Sequence, residues 1–372
     1  MIGTTEMTEP NQDLLELFRE GKKLGLARAI SLVEDERPGF QAFLHRVLET
    51  PRFAKRLGFT GPPGAGKSSL VAGLTRAYRE RSEEVAVVAV DPTSPYSGGA
   101  LLGDRIRMND LATDTGIFIR SMATRGSLGG LATTTKEVLD LMDAFGFDRV
   151  MVETVGVGQT ELEITGAADT VVVILVPESG DAIQAMKAGL MEIADVFVVN
   201  KADRPGADRL VKDLRLALQL KGGEALQNVP AHHGVDLGRM GPRSGRGPVP
   251  SEGESSAGER NGTQVKEPAP GWSIPVLRTV AQTGEGIPEL LEAVEAHRAF
   301  LEQSGVLLAR REARAAGRVR DVVHRGLRRI VWEDPEVQRI LDGGVAEIVS
   351  GRETPYSLAD VILTRMVDSG TR

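Results

Sequence analysis

The sequence predicts an α/β protein with a mostly parallel β-sheet that is flanked by helices. From residue 56 to about residue 280, short apolar runs alternate with stretches of helical periodicity, as in a chain that crosses repeatedly between strand and helix. The runs at 171–176 and 196–199 are apolar without interruption, which indicates strands buried on both faces of a parallel sheet. A glycine-rich loop at 61–66 follows the first apolar run and precedes a helical pattern.

The apolar runs place the strands, and the 3.6-residue periodicity places the helices. A first strand ends near Thr60, and we expect further strands at 84–90, 117–121, 147–152, 170–176, 195–199 and 274–280. Residues 11–49 carry enough periodic apolar positions, such as Phe18 and Phe43, for two amphipathic helices. The pattern becomes helical again after Pro288 and includes an arginine-rich stretch at 310–314.

These patterns divide the chain into three parts. We expect an N-terminal helical extension at 1–50, the main α/β domain at 51–296 and a helical C-terminal region at 297–372. Residues 229–271 are rich in Gly, Pro, Ser, Arg and Glu and have little apolar content, so we expect an exposed and largely disordered insertion. The pair His232-His233 within it is read as solvated rather than metal-binding, because a metal site needs more ligands at fixed spacing.

Composition limits the class of protein. The 372 residues are 41% hydrophobic and 26% charged, which is ordinary for a globular protein. A formal net charge of -7 argues against a nucleic-acid partner. The chain has no cysteine, so disulfides, thiolate catalysis and cysteine-bound zinc are excluded. No apolar run approaches membrane-spanning length and the first residues do not resemble a leader, so we expect a cytoplasmic protein without membrane contact.

Residues 61–68 read Gly-Pro-Pro-Gly-Ala-Gly-Lys-Ser, a complete phosphate-loop motif between a strand and a helix. Glycines in such a loop let backbone N–H groups turn toward a phosphate, and the following helix adds the positive end of its dipole. Lys67 is expected to reach the β- and γ-phosphates, and the Ser68 hydroxyl to bind Mg²⁺. The candidate nucleotide-binding residues are Gly61, Pro62, Pro63, Gly64, Ala65, Gly66, Lys67, Ser68 and Ser69.

A second motif, Asn-Lys-Ala-Asp at 200–203, follows directly on a buried strand and is therefore expected at the same edge of the sheet. The Asp203 carboxylate can accept hydrogens from N1 and the amino group of guanine, and adenine offers no matching pair. Asn200 is expected to contact N7 or the phosphate loop, and the stem of Lys201 to cover the base. After the last strand, Val280, Ala281 and Gln282 are candidates to offer a backbone N–H to guanine O6.

Acidic residues at strand ends are the remaining candidates for chemistry. Asp91 and Glu153 each end an apolar run, and either is suited to act near Mg²⁺. In Glu153-Thr154-Val155-Gly156, one loop can sense the metal and present the Gly156 amide to a γ-phosphate. Asp104 lies in a glycine-rich segment with the flexibility of a switch. We therefore assign Lys67, Asp91, Asp104 and Glu153 as candidate catalytic residues, and Ser68, Asp91, Asp104 and Glu153 as candidate Mg²⁺ ligands.

Taken together, the segments 61–69, 91–108 and 153–159 resemble the MeaB/ArgK family of GTPases, chaperones of the adenosylcobalamin-dependent methylmalonyl-CoA mutase. The resemblance continues through 177–189, 200–203 and 351–357, and the segment that begins at Asp91 is its most diagnostic part. Two departures stand out: the insertion is longer than expected, and Val280-Ala281-Gln282 replaces a more usual Ser-Ala-Leu.

The resemblance implies a P-loop NTPase with a SIMIBI-type G domain and a C-terminal helical arm that forms a homodimer. It implies GTP or GDP and Mg²⁺ as ligands, with Asp91, Asp104 and Glu153 around the metal or the hydrolytic water. Residues 178–188 match a third switch, through which Asp181 and Lys187 would signal the nucleotide state. The partner implied is an adenosylcobalamin-dependent acyl-CoA mutase, which the GTPase would load with cobalamin and protect.

Two other functions stay open from the sequence. One is a kinase of a periplasmic amino-acid transport system, an older label within the family, although no residue pattern for a kinase catalytic loop is visible. The other is a GTPase metallochaperone of the nickel type, although such proteins usually need Cys or His ligands near the switches, and this chain has no cysteine and 5 histidines.

Overall fold

The structure is a computed structural model that describes residues 9–50, 52–91, 109–111, 113–123, 133–154, 163–177, 189–221 and 271–370. Within these residues, seven strands form one sheet in the order β3-β2-β4-β1-β5-β6-β7, and all neighbouring strands are parallel. The strands are β1 (Lys55–Thr60), β2 (Val85–Asp91), β3 (Ile117–Ala123), β4 (Arg149–Glu153), β5 (Thr170–Leu175), β6 (Val196–Val199) and β7 (Val276–Arg278). The predicted parallel sheet is confirmed.

The described helices are α1 (Glu9–Arg19), α2 (Lys23–Glu34), α3 (Phe40–Leu48), α4 (Lys67–Glu80), α5 (Thr133–Phe145), α6 (Leu190–Ile193), α7 (Ala207–Lys221), α8 (Ile287–Gln303), α9 (Val306–Trp332), α10 (Pro335–Val349) and α11 (Pro355–Gly370). Among them, none is long and apolar enough to cross a membrane.

Alternate residues of the central strands enter two separate cores. Along β5, Val171 and Val173 pack with the N-terminal helices, α5 and α7. Val172 and Ile174 point to the opposite face and pack with α4 and α8. Both faces of β5 are therefore buried from solvent, which explains its uninterrupted run of apolar residues.

Each predicted strand is present, and the largest difference lies in β7. Its predicted range was 274–280, whereas the observed strand ends at Arg278. The reason is that the chain turns back immediately, since the Val280 N–H donates to the Glu285 carbonyl at 2.9 Å. Residues 280–282 thereby leave the ladder at the carboxyl edge of the sheet.

The prediction of two N-terminal helices was wrong, because the structure has three. Helices α1 and α3 are the two predicted ones, and α2 lies between them with Leu26 and Ile30 fully buried. Gly21, at a φ of 72°, permits the turn from α1 into α2. Helices α1 and α2 then cross closely, since a Cβ on Gly25 would lie 2.7 Å from the Leu17 carbonyl carbon.

At the C-terminal side, contacts divide the chain into a compact unit at Met1–Arg311 and a second unit at Glu312–Arg372. The first unit extends past the predicted boundary at residue 296 because α8 packs on α4 and continues to Gln303. In the second unit, α10 and α11 pack on each other, and a Cβ on Gly344 would lie 2.4 Å from Leu358. Almost all of the predicted insertion at 229–271 lies outside the described residues.

Buried ion pairs occupy the amino edge of the sheet, where the strands begin. In β1, the Arg56 guanidinium contacts Asp140 and Asp143 of α5, each at 2.7 Å. Burial opposes the charge, yet the two carboxylates raise the pKa of Arg56 above its ordinary value. The pairing ties the central strand to the helix that covers it.

Two aspartates that precede β5 and β6 extend this charged edge. Asp169 contacts Arg298 of α8 at 3.0 Å. Asp195 contacts His297 of α8 at 3.3 Å and Arg310 of α9 at 3.2 Å. Both aspartates are buried, so these contacts replace the water that the carboxylates lose on folding.

Candidate functional site

The phosphate loop, residues 61–66, links β1 to α4 at the carboxyl edge of the sheet. Gly61, Gly64 and Gly66 have φ values of 141°, 75° and 86°, conformations that glycine adopts without strain. Space is also limiting: a Cβ on Gly61 would lie 2.0 Å from the Ile174 carbonyl oxygen, and one on Gly66 would lie 2.3 Å from Asn200 Nδ2. The glycines therefore serve both the turn of the loop and its packing against β5 and Asn200.

Lys67, the first residue of α4, is held within the curve of the loop. Its Nζ donates to the Gly61 carbonyl at 3.0 Å and to the Pro62 carbonyl at 3.1 Å, and the side chain is buried. The ammonium group thus lies inside a concave loop at a helix N-terminus, an arrangement that suits a bound phosphate group.

The adjacency of β1 and β4 brings Ser68 and Glu153 together. Phe59 is in register with Glu153, and the Ser68 Oγ donates to Glu153 Oε1 at 2.7 Å. Both residues are buried. A hydroxyl and a carboxylate beside a phosphate loop form the oxygen-rich donor set that Mg²⁺ prefers, so these two residues fit the expected metal.

The other predicted acidic residues are placed less completely. Asp91 is the last residue of β2, and β2 pairs with β4 so that Ala89 is in register with Glu153. Asp91 therefore ends its strand at the same edge as Glu153. Asp104, Gly156, Asp181 and Lys187 lie outside the residues that the structure describes, so their roles stay predictions.

Asn200 connects the phosphate loop with the loop after β7. Its Nδ2 donates to the Ala65 carbonyl at 2.8 Å. Its Oδ1 accepts from Thr279 Oγ1 at 3.1 Å and from the Ala281 N–H at 3.1 Å. Of the two contacts expected for Asn200, the structure contains the one to the phosphate loop.

Lys201 and Asp203 complete this part of the site. Lys201 has a φ of 55°, a left-handed conformation that few non-glycine residues adopt. The backbone turns there and leaves Asp203 exposed, where its carboxylate is open to a ligand. The tetrapeptide thus has one end anchored in the protein and the other directed toward solvent.

Among the three amides considered for guanine O6, two have partners within the protein. The Val280 N–H donates to Glu285, and the Ala281 N–H donates to Asn200. Gln282 follows them in the turn that Gly284, at a φ of 84°, helps to close. The loop is thus shaped by its own hydrogen bonds.

Sequence reasoning missed Thr279, which is fully buried between Asn200 and the end of β6. Its N–H donates to the Val199 carbonyl at 3.0 Å, and its carbonyl accepts from the Ala202 N–H at 3.0 Å. No motif includes this threonine. The only available signal was its position at the end of an apolar strand, directly before the predicted residues Val280 and Ala281.

Comparison with known proteins agrees with this geometry. Residues 26–336 match the family model described as "Methylmalonyl Co-A mutase-associated GTPase MeaB". The chain belongs to the MeaB family. The resemblance inferred from the sequence is thereby confirmed, and so is the assignment as a P-loop GTPase that binds guanine nucleotides and hydrolyses GTP.

Relatives of the MeaB-family chain extend over most of its length. A Pyrococcus horikoshii protein that bears a GTPase name is 39% identical over 360 residues, covering 96% of this chain and 99% of that protein. The mouse "Methylmalonic aciduria type A homolog, mitochondrial" is 30% identical over 358 residues, covering 92% of this chain and 76% of that protein. A solved LAO/AO transport system kinase shares the fold, with a TM-score of 0.61, 24% identity and coverage of 97% and 99% of the two chains.

Proposed function

We propose that this MeaB-family protein is a Mg²⁺-dependent GTPase switch that gates adenosylcobalamin loading of an acyl-CoA mutase and protects that enzyme. The observation that carries the proposal is the convergence of Lys67, the Ser68–Glu153 pair and Asn200 on one phosphate loop. The name of the matching family supplies the partner, since it describes association with methylmalonyl-CoA mutase.

In this proposal, the phosphate side of the site acts by charge and position. Lys67 exchanges its two carbonyl contacts for oxygens of the β- and γ-phosphates and stabilises the charge that develops between them. Ser68 and Glu153, together with Asp91 and Asp104, hold Mg²⁺ or order the attacking water. When bound, the metal supplies further charge neutralisation at the phosphates.

The base side of the site selects guanine. Asp203 accepts from N1 and the amino group of the base, and Lys201 covers one face of the ring. An adenine ring would leave the Asp203 carboxylate without those donors, which disfavours ATP. Because Asn200 donates to the Ala65 carbonyl, base recognition is linked directly to the phosphate loop.

In this proposal, the nucleotide state reaches the mutase through the loops that border the phosphates. The amide of Gly156 senses the γ-phosphate, and Asp181 and Lys187 present the result to the partner. Loss of the γ-phosphate would release such contacts and alter the surface offered to the mutase. The same proposal places the protein in the cytoplasm.

We further propose a homodimer formed through the helices after residue 311. The second compact unit exposes many large apolar side chains, and an exposed apolar patch marks an interaction surface. They include Val319, Val323, Leu327, Ile330, Val349, Tyr356 and Val367. Light scattering on the purified chain tests this, and a monomer at micromolar concentration would contradict it.

The experiment that tests the main proposal measures phosphate release from GTP and ATP, with and without an adenosylcobalamin-dependent acyl-CoA mutase from the same organism. Selective GTP hydrolysis that the mutase stimulates supports both halves of the proposal. Selective GTP hydrolysis at a rate that the mutase does not change contradicts the proposed partner but supports the GTPase activity. Transfer of labelled phosphate to a transport protein, with little release to water, would favour the kinase instead.

A further inference from the structure

Thr279 has a buried hydroxyl that the proposed chemistry does not use. It follows β7, its side chain is fully buried, and its Oγ1 donates to Asn200 Oδ1 at 3.1 Å. Its backbone bonds to Val199 and Ala202 fix it beside the end of β6. Thr279 is therefore held rigidly against the side chain of the residue that opens the Asn-Lys-Ala-Asp motif.

The Asn200 amide can adopt only one orientation in this setting. The Ala281 N–H can only donate and the Ala65 carbonyl can only accept. A flipped amide would place two donors together at Ala281 and two acceptors together at Ala65. The side-chain oxygen is thus committed to Thr279 and Ala281, while one of the two Nδ2 hydrogens is committed to Ala65.

This network spans three segments that are distant in sequence. Asn200 and Ala65 are 135 residues apart, and Asn200 and Thr279 are 79 residues apart. Removal of the Thr279 hydroxyl would leave the amide orientation set by backbone groups alone and would widen the range of side-chain positions. Both the phosphate loop and the base-binding loop would lose part of their shared support.

Another buried threonine shows that this arrangement is not the default for such a residue. Thr75 Oγ1 donates to the Val71 carbonyl at 2.8 Å, within its own helix. That local bond satisfies the hydroxyl, and its other contact, with Met151 Sδ at 3.6 Å, is to a thioether, which is a weak acceptor. Thr279 instead contacts a polar side chain that itself contacts the phosphate loop.

We propose that Thr279 is a positioning residue for guanine-nucleotide binding, whose hydroxyl holds Asn200 as a brace between the phosphate loop and the base-binding loop. The inference rests on the proposed role of residues 200–203 in reading guanine. It assigns Thr279 no contact with the nucleotide, since the hydroxyl acts through Asn200.

The test compares Thr279→Val with Thr279→Ser in the full chain. Valine keeps the size of threonine and removes the hydroxyl, so the KM for GTP and the Kd for GDP should both rise about tenfold, the equivalent of one modest hydrogen bond. The kcat should stay within about twofold, because the bond supports ground and transition states alike. Serine keeps the hydroxyl and should restore both constants.

Thr283→Val is the matched control. Its hydroxyl donates to the Val280 carbonyl at 3.2 Å in the same turn and does not contact Asn200, so its KM should match that of the original chain. Thermal unfolding is followed for each variant, and Thr279→Ala replaces the valine variant if the latter does not fold. A KM within twofold of the original for the folded hydroxyl-free variant overturns the proposal, as does a serine variant as weak as valine.

A double-mutant cycle separates a brace from a general packing effect. In an Asn200→Ala background, Thr279→Val should change nucleotide affinity by less than about twofold. In an Asp203→Asn background, the full tenfold effect should persist. If Thr279→Val still lowers nucleotide affinity about tenfold in the Asn200→Ala background, the proposed role of Thr279 as a brace for Asn200 is overturned. Retention of GTP preference by Asp203→Asn alone would contradict the proposed guanine reader instead, so the two failures are distinguishable.

Discussion

The two edges of the sheet use the same kinds of side chain for different purposes. At the amino edge, Arg56, Asp169 and Asp195 have oppositely charged partners at 2.7–3.2 Å on the covering helices. At the carboxyl edge, Lys67 contacts backbone carbonyls, and Ser68 contacts Glu153. A hydrogen bond from a cation to a neutral carbonyl is weaker than one to a carboxylate.

The difference between the two edges separates buried charges that stabilise the fold from buried charges that can bind a ligand. A charge with a permanent counter-ion belongs to the fold, because loss of either partner leaves the other buried and uncompensated. The two carbonyl contacts of Lys67, in contrast, can be exchanged for phosphate oxygens, so its ammonium group can serve a ligand. Removal of charge should therefore affect stability at the amino edge and turnover at the carboxyl edge.

The largest effect is expected for Lys67→Ala at the carboxyl edge. Loss of the ammonium group removes charge stabilisation from the transferred phosphoryl group, so GTP turnover should fall by about 10³-fold, or about 4 kcal/mol. Thermal unfolding is followed alongside, so that the loss of turnover is measured on folded protein. Phosphate release measures turnover, and unchanged turnover would contradict the assignment of the phosphate loop.

The reciprocal change at the amino edge is Arg56→Met. It removes the buried cation that Asp140 and Asp143 share, which should lower the free energy of unfolding by about 3 kcal/mol. At a temperature where the variant remains folded, GTP turnover should match the original. Arg37→Met, at an exposed ion pair with Asp35, is the control and should cost less than about 1 kcal/mol. If Arg56→Met reduced GTP turnover and left the free energy of unfolding unchanged, the proposed difference between the two edges would be wrong.

The next effect is one of selectivity, in Asp203→Asn. Xanthine carries a carbonyl where guanine carries an amino group, so an amide at position 203 should favour XTP over GTP by about 2 kcal/mol, or about thirtyfold. Ratios of kcat/KM for the two nucleotides measure the shift. Asp208→Asn lies on the neighbouring helix, where Asp208 contacts Arg278, and should keep the original preference. Unaltered selectivity at position 203 would contradict its role.

The smallest effect is expected for Tyr78→Phe, between α4 and α8. The Tyr78 hydroxyl donates to Glu295 Oε1 at 2.8 Å, and its loss should cost about 1 kcal/mol of stability with no change in KM. Burial alone raises the pKa of Glu295, but hydrogen bonds and charge from Arg149 and the Tyr78 bond lower it overall.

The sign of the pH dependence follows from that lowered pKa. A depressed carboxyl pKa contributes stability above its unfolded value of about 4.3, and the contribution is lost as the pH falls further through the folded pKa. The cost of Tyr78→Phe, measured by denaturant unfolding, should therefore shrink below about pH 4. Tyr356→Phe, at an exposed tyrosine, should show neither effect, and a pH-independent cost at position 78 would show that Glu295 is not involved.

The parts of the fold and site that depend on local pattern were predictable from the sequence. The two-sided burial of β5 follows from its run of apolar residues, and the phosphate loop and Asn200–Asp203 follow from motifs with fixed spacing. Helix α2 was missed because Gly25 and a break near Gly21 obscured its apolar positions between two clearer helices.

The parts that depend on distant pairings were not predictable. Arg56 meets Asp143 across 87 residues, and Thr279 meets Asn200 across 79, and no local spacing encodes either contact. Ser68 and Glu153 were each predicted near Mg²⁺, but their direct hydrogen bond depends on β1 and β4 being neighbours. The order of strands, rather than the strands themselves, is what the sequence pattern left undetermined.

The closeness of Gly66 to Asn200 has a consequence for engineering the protein. Because the Asn200 amide occupies the space beside Gly66 where a Cβ would stand, positions 66 and 200 form one steric unit. Most substitutions at position 200 made to select other bases would also disturb the packing of the phosphate loop. Position 203 is exposed, so substitutions there can change base preference without disturbing that packing. Redesign of base preference should therefore begin at the solvent-facing end of the tetrapeptide and leave its buried end unchanged.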